Sequence, residues 1–392
     1  MDFDLSWILL GLPLAFALGW LASRMDLRQL RAENRQAPKA YFKGLNFLLN
    51  EQQDKAIDAF IEAMQKDPDT AELHFALGNL FRRRGEYSRA VRVHEHLLQR
   101  ADLSSSDRER AQHGLSQDYL KAGLLDRAEE ALRRLEGSSY EAEARLALLA
   151  IYERSRDWQQ AADIARRMQA AQQGDFSARL AHYLCEQAAE LVQHSQPEAA
   201  LHLLQEAVRT ADSAPRPRLE LARLQHHLGQ SSTAWGTLQD LARVTPQGLP
   251  LAIGLLQEVA SATQQQPAAI SLLRERYQQS PSLDILEALV QLHADPQGQA
   301  GATTEDPQAI RAWYVRHLTQ EPSLVAATKW LEHEPLVDET YRPVVQKALE
   351  HATKPLTRYR CAACGFEARQ HFWHCPGCQS WDSYPTRRVE EL

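Results

Sequence analysis

Residues 40–102, AYFKGLNFLLNEQQDKAIDAFIEAMQKDPDTAELHFALGNLFRRRGEYSRAVRVHEHLLQRAD, decide how the rest of the chain is read. Gly44, Phe47, Ala56, Phe60, Ala63 and Pro68 stand at spacings that return 34 residues later as Gly78, Phe81, Ala90, His94, Leu97 and Asp102. Such a period describes two antiparallel helices per unit, stacked on the next pair. Small residues (Gly44, Ala56) fall where the two helices approach closely, and large ones (Phe47, Phe60) fill the groove toward the neighbouring pair. Pro68 ends the second helix, because it lacks the amide that would continue the ladder. Two unrelated amphipathic hairpins would not repeat this register further along the chain, and here it does repeat.

A 34-residue period with a small residue opening the match and an alanine twelve positions on is the signature of the tetratricopeptide repeat. After an insertion of four residues around Ser104–Asp107, Leu115, Ser116, Tyr119, Gly123, Ala128, Leu132 and Leu135 give a third match. Leu149, Tyr152, Trp158, Ala161, Ala165 and Met168 give a fourth, and Ala188, Ala200, Leu204 and Ala207 a fifth. Ala222, Gly229, Ala234, Leu238, Leu241 and Pro246 follow 34 residues after that, and Ala269, Leu273 and Pro281 form a degenerate seventh. Helices are expected to continue at 283–293, 308–319 and 324–333. The segment Asp295–Asp306 reads as a flexible loop inside the helical domain. The expected architecture is all-α: a superhelix of repeats whose inner groove takes peptides or protein segments.

Composition agrees. Aromatic residues make up only 7% of the 392 residues, and the net charge of −7 argues against non-specific nucleic-acid binding by the bulk of the chain. No phosphate-cradling glycine loop, G-x-S-x-G elbow or H-E-x-x-H pair occurs, so the reading is non-enzymatic. The pairs His94/His96 and His226/His227 read as surface or groove residues, and the isolated Cys185 as a small buried apolar residue.

At the N-terminus, Leu5–Ala22 carries no charge. As a helix it would span about 27 Å, near the lower limit for a bilayer. Trp7 and Trp20 sit near its ends, where aromatic belts form. Asp2 and Asp4 precede it and no convincing cleavage site follows, so it reads as an uncleaved anchor rather than a signal peptide. Arg24, Arg28, Arg31, Arg35 and Lys39 all follow the run. The positive-inside rule then leaves residues 1–4 outside, 5–22 across the membrane and 23–39 as a cytoplasmic juxtamembrane segment within reach of lipid headgroups. The repeat array covers 40–353.

The sharpest chemical signal lies in 354–392. Cys361-Ala-Ala-Cys364 and Cys375-Pro-Gly-Cys378 supply four thiolates, enough for one tetrahedral metal ion, zinc in preference to iron. Gly365 and Gly377 are the residues expected to allow the tight turns. A segment this short cannot fold on its own core, so the metal decides whether it folds. His374 adjoins Cys375 but a full set of four sulfurs leaves it no vacancy. Trp373, Trp381 and Phe372 are expected to cap the site or dock it on the last helices. Six basic and four acidic residues from Lys354 onward give only +2, a weak nucleic-acid footprint.

The two cysteine knuckles resemble those of rubredoxins, with a shorter gap between them. Anchor, repeats and terminal knuckle, in this order, resemble the lipopolysaccharide assembly protein B family of Gram-negative bacteria, across the whole chain. That resemblance implies a non-enzymatic inner-membrane adaptor, single-pass, with a periplasmic N-terminus and its bulk in the cytoplasm. It implies control of lipopolysaccharide synthesis through proteolysis of the UDP-3-O-acyl-N-acetylglucosamine deacetylase by the membrane AAA+ zinc protease. It also implies opposition by an alkaline-phosphatase-like membrane regulator. Homo-oligomerisation is left open. The residues alone reach a membrane-tethered protein-binding scaffold, with a tethered nucleic-acid binder and an iron redox protein as alternatives.

Overall fold

The computed structural model describes residues 42–66 apart from 48 and 51, 71–292, 307–335 and 339–392, together with Phe16 and Trp20. Pro68 and the Asp295–Asp306 segment lie outside the described residues, as does the Leu5–Ala22 run except for Phe16 and Trp20, which are helical and exposed. Among the described residues no helix is long and apolar enough to cross a membrane.

The chain divides into two compact units, residues 1–156 and 157–392. In the first, helices Ala71–Arg83 and Tyr87–Gln99 form one repeat, and Ser105–Ala122 and Leu125–Arg133 the next, with Glu141–Ser155 stacked after them. The register residues are the core. Ala56, Phe60, Ala63, Ala90, Leu97, Ala128, Leu132 and Leu135 are all buried, and burial of each large apolar side chain contributes roughly 1.5–3 kcal/mol. The four inserted residues do not make a loop. They start the third repeat's first helix early, at Ser105, capped by Ser104, whose hydroxyl accepts from the Asp107 amide at 3.1 Å. That helix ends where Gly123 takes the left-handed conformation (φ 75°) and its amide returns to the Leu120 carbonyl.

His94 is not a surface or groove residue. It occupies the register position of Phe60 and is 1% exposed, with Nδ1 2.5 Å from the carboxylate of fully buried Asp118. The imidazole fits because two glycines face it. A Cβ added at Gly78 would lie 2.6 Å from His94 Cε1, and one at Gly114 would lie 2.8 Å from Nε2. Arg82 completes the cluster, donating to Asp118 Oδ1 at 2.7 Å and to the Gly114 carbonyl at 3.0 Å. The expectation failed because a polar residue at a large-apolar position looks exposed until its buried partner, 24 residues on, is known. His96 and His227 are exposed and His226 is half-buried.

The second unit runs as antiparallel helix pairs from Trp158–Ala170 to Leu324–His333, with a further helix, Arg342–Thr353, and then the cysteine ribbon. Ala188, Ala200, Leu204, Ala222, Ala234, Leu238, Ala269 and Leu273 are buried, so the register persists even where the sequence match is degenerate. Cys185 is buried among them, and burial pushes its thiol up to about 12, which keeps it inert. The ribbon adds the only strands among the described residues, Tyr359–Arg360 paired antiparallel with Glu367–Ala368.

Candidate metal centre

Each cysteine pair closes the same turn. In the first knuckle the Gly365 amide donates to the Cys361 carbonyl and the Cys361 amide to the Phe366 carbonyl, both at 2.9 Å. In the second the Gln379 amide donates to Cys375 and the Cys375 amide to Ser380, again at 2.9 Å. The residue after each second cysteine is left-handed: Gly365 at φ 78° and Gln379 at φ 59°. Gln379, not Gly377, is therefore the counterpart of Gly365. Gly377 serves by being small, since a Cβ there would lie 3.5 Å from Cys364 Sγ and 3.4 Å from Phe366 Cβ.

The four sulfurs lie within 4.8 Å of one another. Cys361–Cys378 and Cys364–Cys375 are 3.8 and 3.7 Å apart. A tetrahedron with metal–sulfur bonds of about 2.3 Å has edges of about 3.8 Å, so the set fits a single thiolate-bound ion. The donors suit zinc and iron alike. Burial raises Cys361, but the Ser383 hydroxyl and the Cys364 and Ala363 amides outweigh it and bring the thiol down to about 6. The Phe366 amide favours the Cys364 thiolate, yet burial and the three neighbouring sulfurs push it up to about 12. Four sulfurs this close ionise together only with a cation between them. Once bound, the ion supplies cross-links that replace a hydrophobic core. His374 is no substitute ligand: its Nε2 is 2.9 Å from the Gln379 carbonyl and its ring stacks on Trp381 at 4.3 Å.

The ribbon packs on its own unit through Leu251 and Trp373 and is further held by two polar and aromatic attachments. Trp381, just past the second knuckle, stacks on His182 at 4.7 Å and meets Trp158 and Tyr183 edge-on, each at 5.9 Å. Asp382 Oδ2 lies 2.8 Å from His182 Nε2, while Arg216 faces His182 Nδ1 through Nη1 at 3.3 Å and donates to Glu186 through Nη2 at 2.6 Å. Arg216 can only donate, so Nδ1 accepts and Nε2–H donates to Asp382. This is a neutral imidazole, consistent with a pKa lowered first by burial and only partly restored by Asp382. Trp381 thus docks on the helix Ser177–Gln193, not on the last helices. Phe372 packs edge-on to Tyr384 inside the ribbon, and Trp373 lies between His371 and His182.

The second attachment is the C-terminal tail. The Glu390 carboxylate accepts from the Val325 amide at 3.0 Å, from the Leu324 amide and from Ser323 Oγ at 2.8 Å, at the start of helix Leu324–His333. Glu391 accepts from the Leu283 amide at 3.0 Å, at the start of helix Leu283–Gln291. Each puts a carboxylate on a helix N-terminus, where unpaired amides and the dipole favour it. Arg388 lies over the Tyr359 ring at 4.3 Å and 3.3 Å from Asp284. Trp381 was named in the sequence, but its partners His182 and Arg216 and the tail residues Arg388, Glu390 and Glu391 were missed. One signal was available: Arg216 and Arg218 stand in the first turn of helix Pro215–His227, where cations are unfavourable unless paired. Arg218 is indeed buried against Asp212.

Two families match parts of the chain: a tetratricopeptide repeat over 43–102 and 113–176, and a rubredoxin metal binding domain over 359–384. The chain thus carries tetratricopeptide repeats and a terminal rubredoxin-like metal-binding ribbon. Over its length it is similar to lipopolysaccharide assembly protein B. It is 29% identical to that protein of Escherichia coli strain K12, across 99% of this chain and 100% of the other. It is 27% identical to that of Haemophilus influenzae, across 96% of each. Among solved structures, the Naa15/Naa10 complex bound to HypK-THB overlaps 82% of this chain and 48% of its own, at 14% identity and a TM-score of 0.43.

Proposed function

We propose that this protein is a non-enzymatic, membrane-tethered adaptor that limits lipopolysaccharide synthesis. In this reading the repeats hold the UDP-3-O-acyl-N-acetylglucosamine deacetylase and the tether brings it to the membrane AAA+ zinc protease, under opposition from the alkaline-phosphatase-like regulator. The observation that carries the proposal is the similarity to lipopolysaccharide assembly protein B from end to end, repeats and ribbon together. The uncharged run Leu5–Ala22 and the basic residues after it support a tether with the bulk on the cytoplasmic side. A reducing compartment also suits four metal-bound thiolates. Tethering raises the effective concentration of adaptor at a membrane protease, up to the order of mM for short linkers, without any new interface.

Trp381 is spent on docking against His182 and Phe372 packs on Tyr384 inside the ribbon, which leaves Phe366 as the exposed ring among the ribbon's described residues. One exposed ring on a segment of formal charge only +2 favours a structural role for the metal over nucleic-acid recognition, which needs successive stacking platforms along a basic groove. The test is depletion of the protein in its own cell, followed by pulse-chase of the deacetylase. A longer deacetylase half-life and excess lipopolysaccharide are expected; an unchanged half-life refutes the adaptor role.

A further inference from the structure

One edge of the first unit carries cations that its own residues do not neutralise. Helices Ala71–Arg83, Ser105–Ala122 and Glu141–Ser155 are the first helices of three successive repeats, so they run parallel and end on the same edge. Arg83, Lys121 and Arg154 stand in their last turns, and Arg156 follows the third. All four are exposed, and among the described residues none of their side chains has an ion pair or hydrogen bond. Of the nearby acids, Asp54 and Glu86 are engaged by Arg84, and Glu86 also by Arg89; Asp126, exposed in the first turn of helix Leu125–Arg133, offsets one of the four cations and leaves the edge net positive. Toward the opposite edge the cations are paired: Arg100 with Asp102, Arg134 with Glu130, Arg145 with Glu141.

A cation in a helix's last turn is favoured by the dipole, but not required. Helices Ser177–Gln193 and Leu249–Ala262 have none there. A second feature of the same edge has no local explanation. Leu124, at the turn between Lys121 and Arg127, is 44% exposed and occupies the N-cap of helix Leu125–Arg133, with no side-chain cap bond. Ser, Thr, Asp or Asn would serve that position better. An apolar side chain at a turn tip, flanked by cations, suits a bilayer interface: the side chain enters the headgroup layer and the cations meet phosphates.

We propose that this edge, with Arg83, Lys121, Arg154, Arg156 and Leu124, rests on anionic phospholipid headgroups. The proposal builds on the membrane-tethered reading, in which Leu5–Ala22 fixes the neighbouring first unit near the bilayer. In a chain of net charge −7, which an anionic surface otherwise repels, one basic edge sets which side faces the membrane. Each cation near such a surface changes occupancy about five-fold, so removing three lowers it on the order of 100-fold.

The test uses the full chain in lipid nanodiscs of phosphatidylcholine alone or with phosphatidylglycerol, read by hydrogen–deuterium exchange. Incorporation into neutral discs checks the tether by itself; a chain that does not incorporate overturns the tethered reading, and this proposal with it. Given incorporation, segments 83–89, 121–127 and 154–156 are expected to exchange more slowly only when phosphatidylglycerol is present. The protection is expected to vanish at about 0.5 M salt and in the Arg83→Gln/Lys121→Gln/Arg154→Gln variant. Leu124→Asp is expected to weaken it, with exchange in the buried helices unchanged. Equal exchange in both lipids overturns the proposal, as does protection that survives the triple variant. Protection of these turns by an added RNA or poly-glutamate, with none from phosphatidylglycerol, assigns the edge to another polyanion and overturns it too.

Discussion

Replacing Trp381 with alanine removes the ring that joins the metal ribbon to the repeats. That ring stacks on His182 at 4.7 Å, meets Trp158 and Tyr183 edge-on and lies 5.9 Å from the Arg216 guanidinium. Aromatic pairs contribute roughly 0.5–1.5 kcal/mol each beyond burial, and a partly desolvated cation–π contact about 1 kcal/mol. The contacts share one ring and do not add fully, so the expected loss is about 3 kcal/mol, on the order of a 100-fold rise in the undocked fraction. Hydrogen exchange over helix Ser177–Gln193 in the intact protein reads this directly. Metal content is expected to stay at one ion per chain, because the knuckle turns close through backbone bonds and sulfur. A double-mutant cycle with His182→Ala isolates the stacked pair, with an expected coupling of about 1 kcal/mol. Unchanged exchange in helix Ser177–Gln193, or additive effects of the two substitutions, refutes the docking argument. Loss of metal in Trp381→Ala refutes the claim that docking and metal binding are separable.

Cys361→Ser is expected to abolish stoichiometric metal and unravel 355–392, since an apparent 10–16 kcal/mol of binding energy goes with the ion, while the helical circular dichroism of the repeats persists; full metal occupancy by elemental analysis counts against a four-sulfur site. Gly78→Ala forces a Cβ to within 2.6 Å of His94, whose ring is held by Asp118 and backed by Gly114, and is expected to destabilise the first unit by roughly 1–3 kcal/mol, seen as a lower Tm for that unit. Acidification is expected to weaken the ribbon dock. Burial lowers the folded His182 pKa below its ordinary 6.5, so the folded state binds fewer protons than the unfolded one. The stabilisation is complete above that value and falls as pH drops below it. Thermal unfolding at successive pH values measures this, with a flatter profile expected in His182→Gln; a dock that strengthens on acidification contradicts the neutral imidazole.

Periodicity alone was enough for the repeat architecture. Stacking identical helix pairs demands the same small and large residues at the same register, so Ala56, Ala90, Ala128 and Ala234 announce their burial by spacing. The metal ligands were equally legible, because two Cys-x-x-Cys pairs bring four sulfurs together through local turns, whatever the rest of the chain does. What only the tertiary structure decided were contacts between residues far apart in sequence. His94 became a buried hydrogen-bond partner because Asp118 arrives from the next repeat. Trp381 found His182 two hundred residues upstream, and Glu390 and Glu391 reached two separate helix N-termini. None of these pairs has a period or a fixed spacing. Their energies depend on burial and mutual orientation, which exist only once the chain has folded.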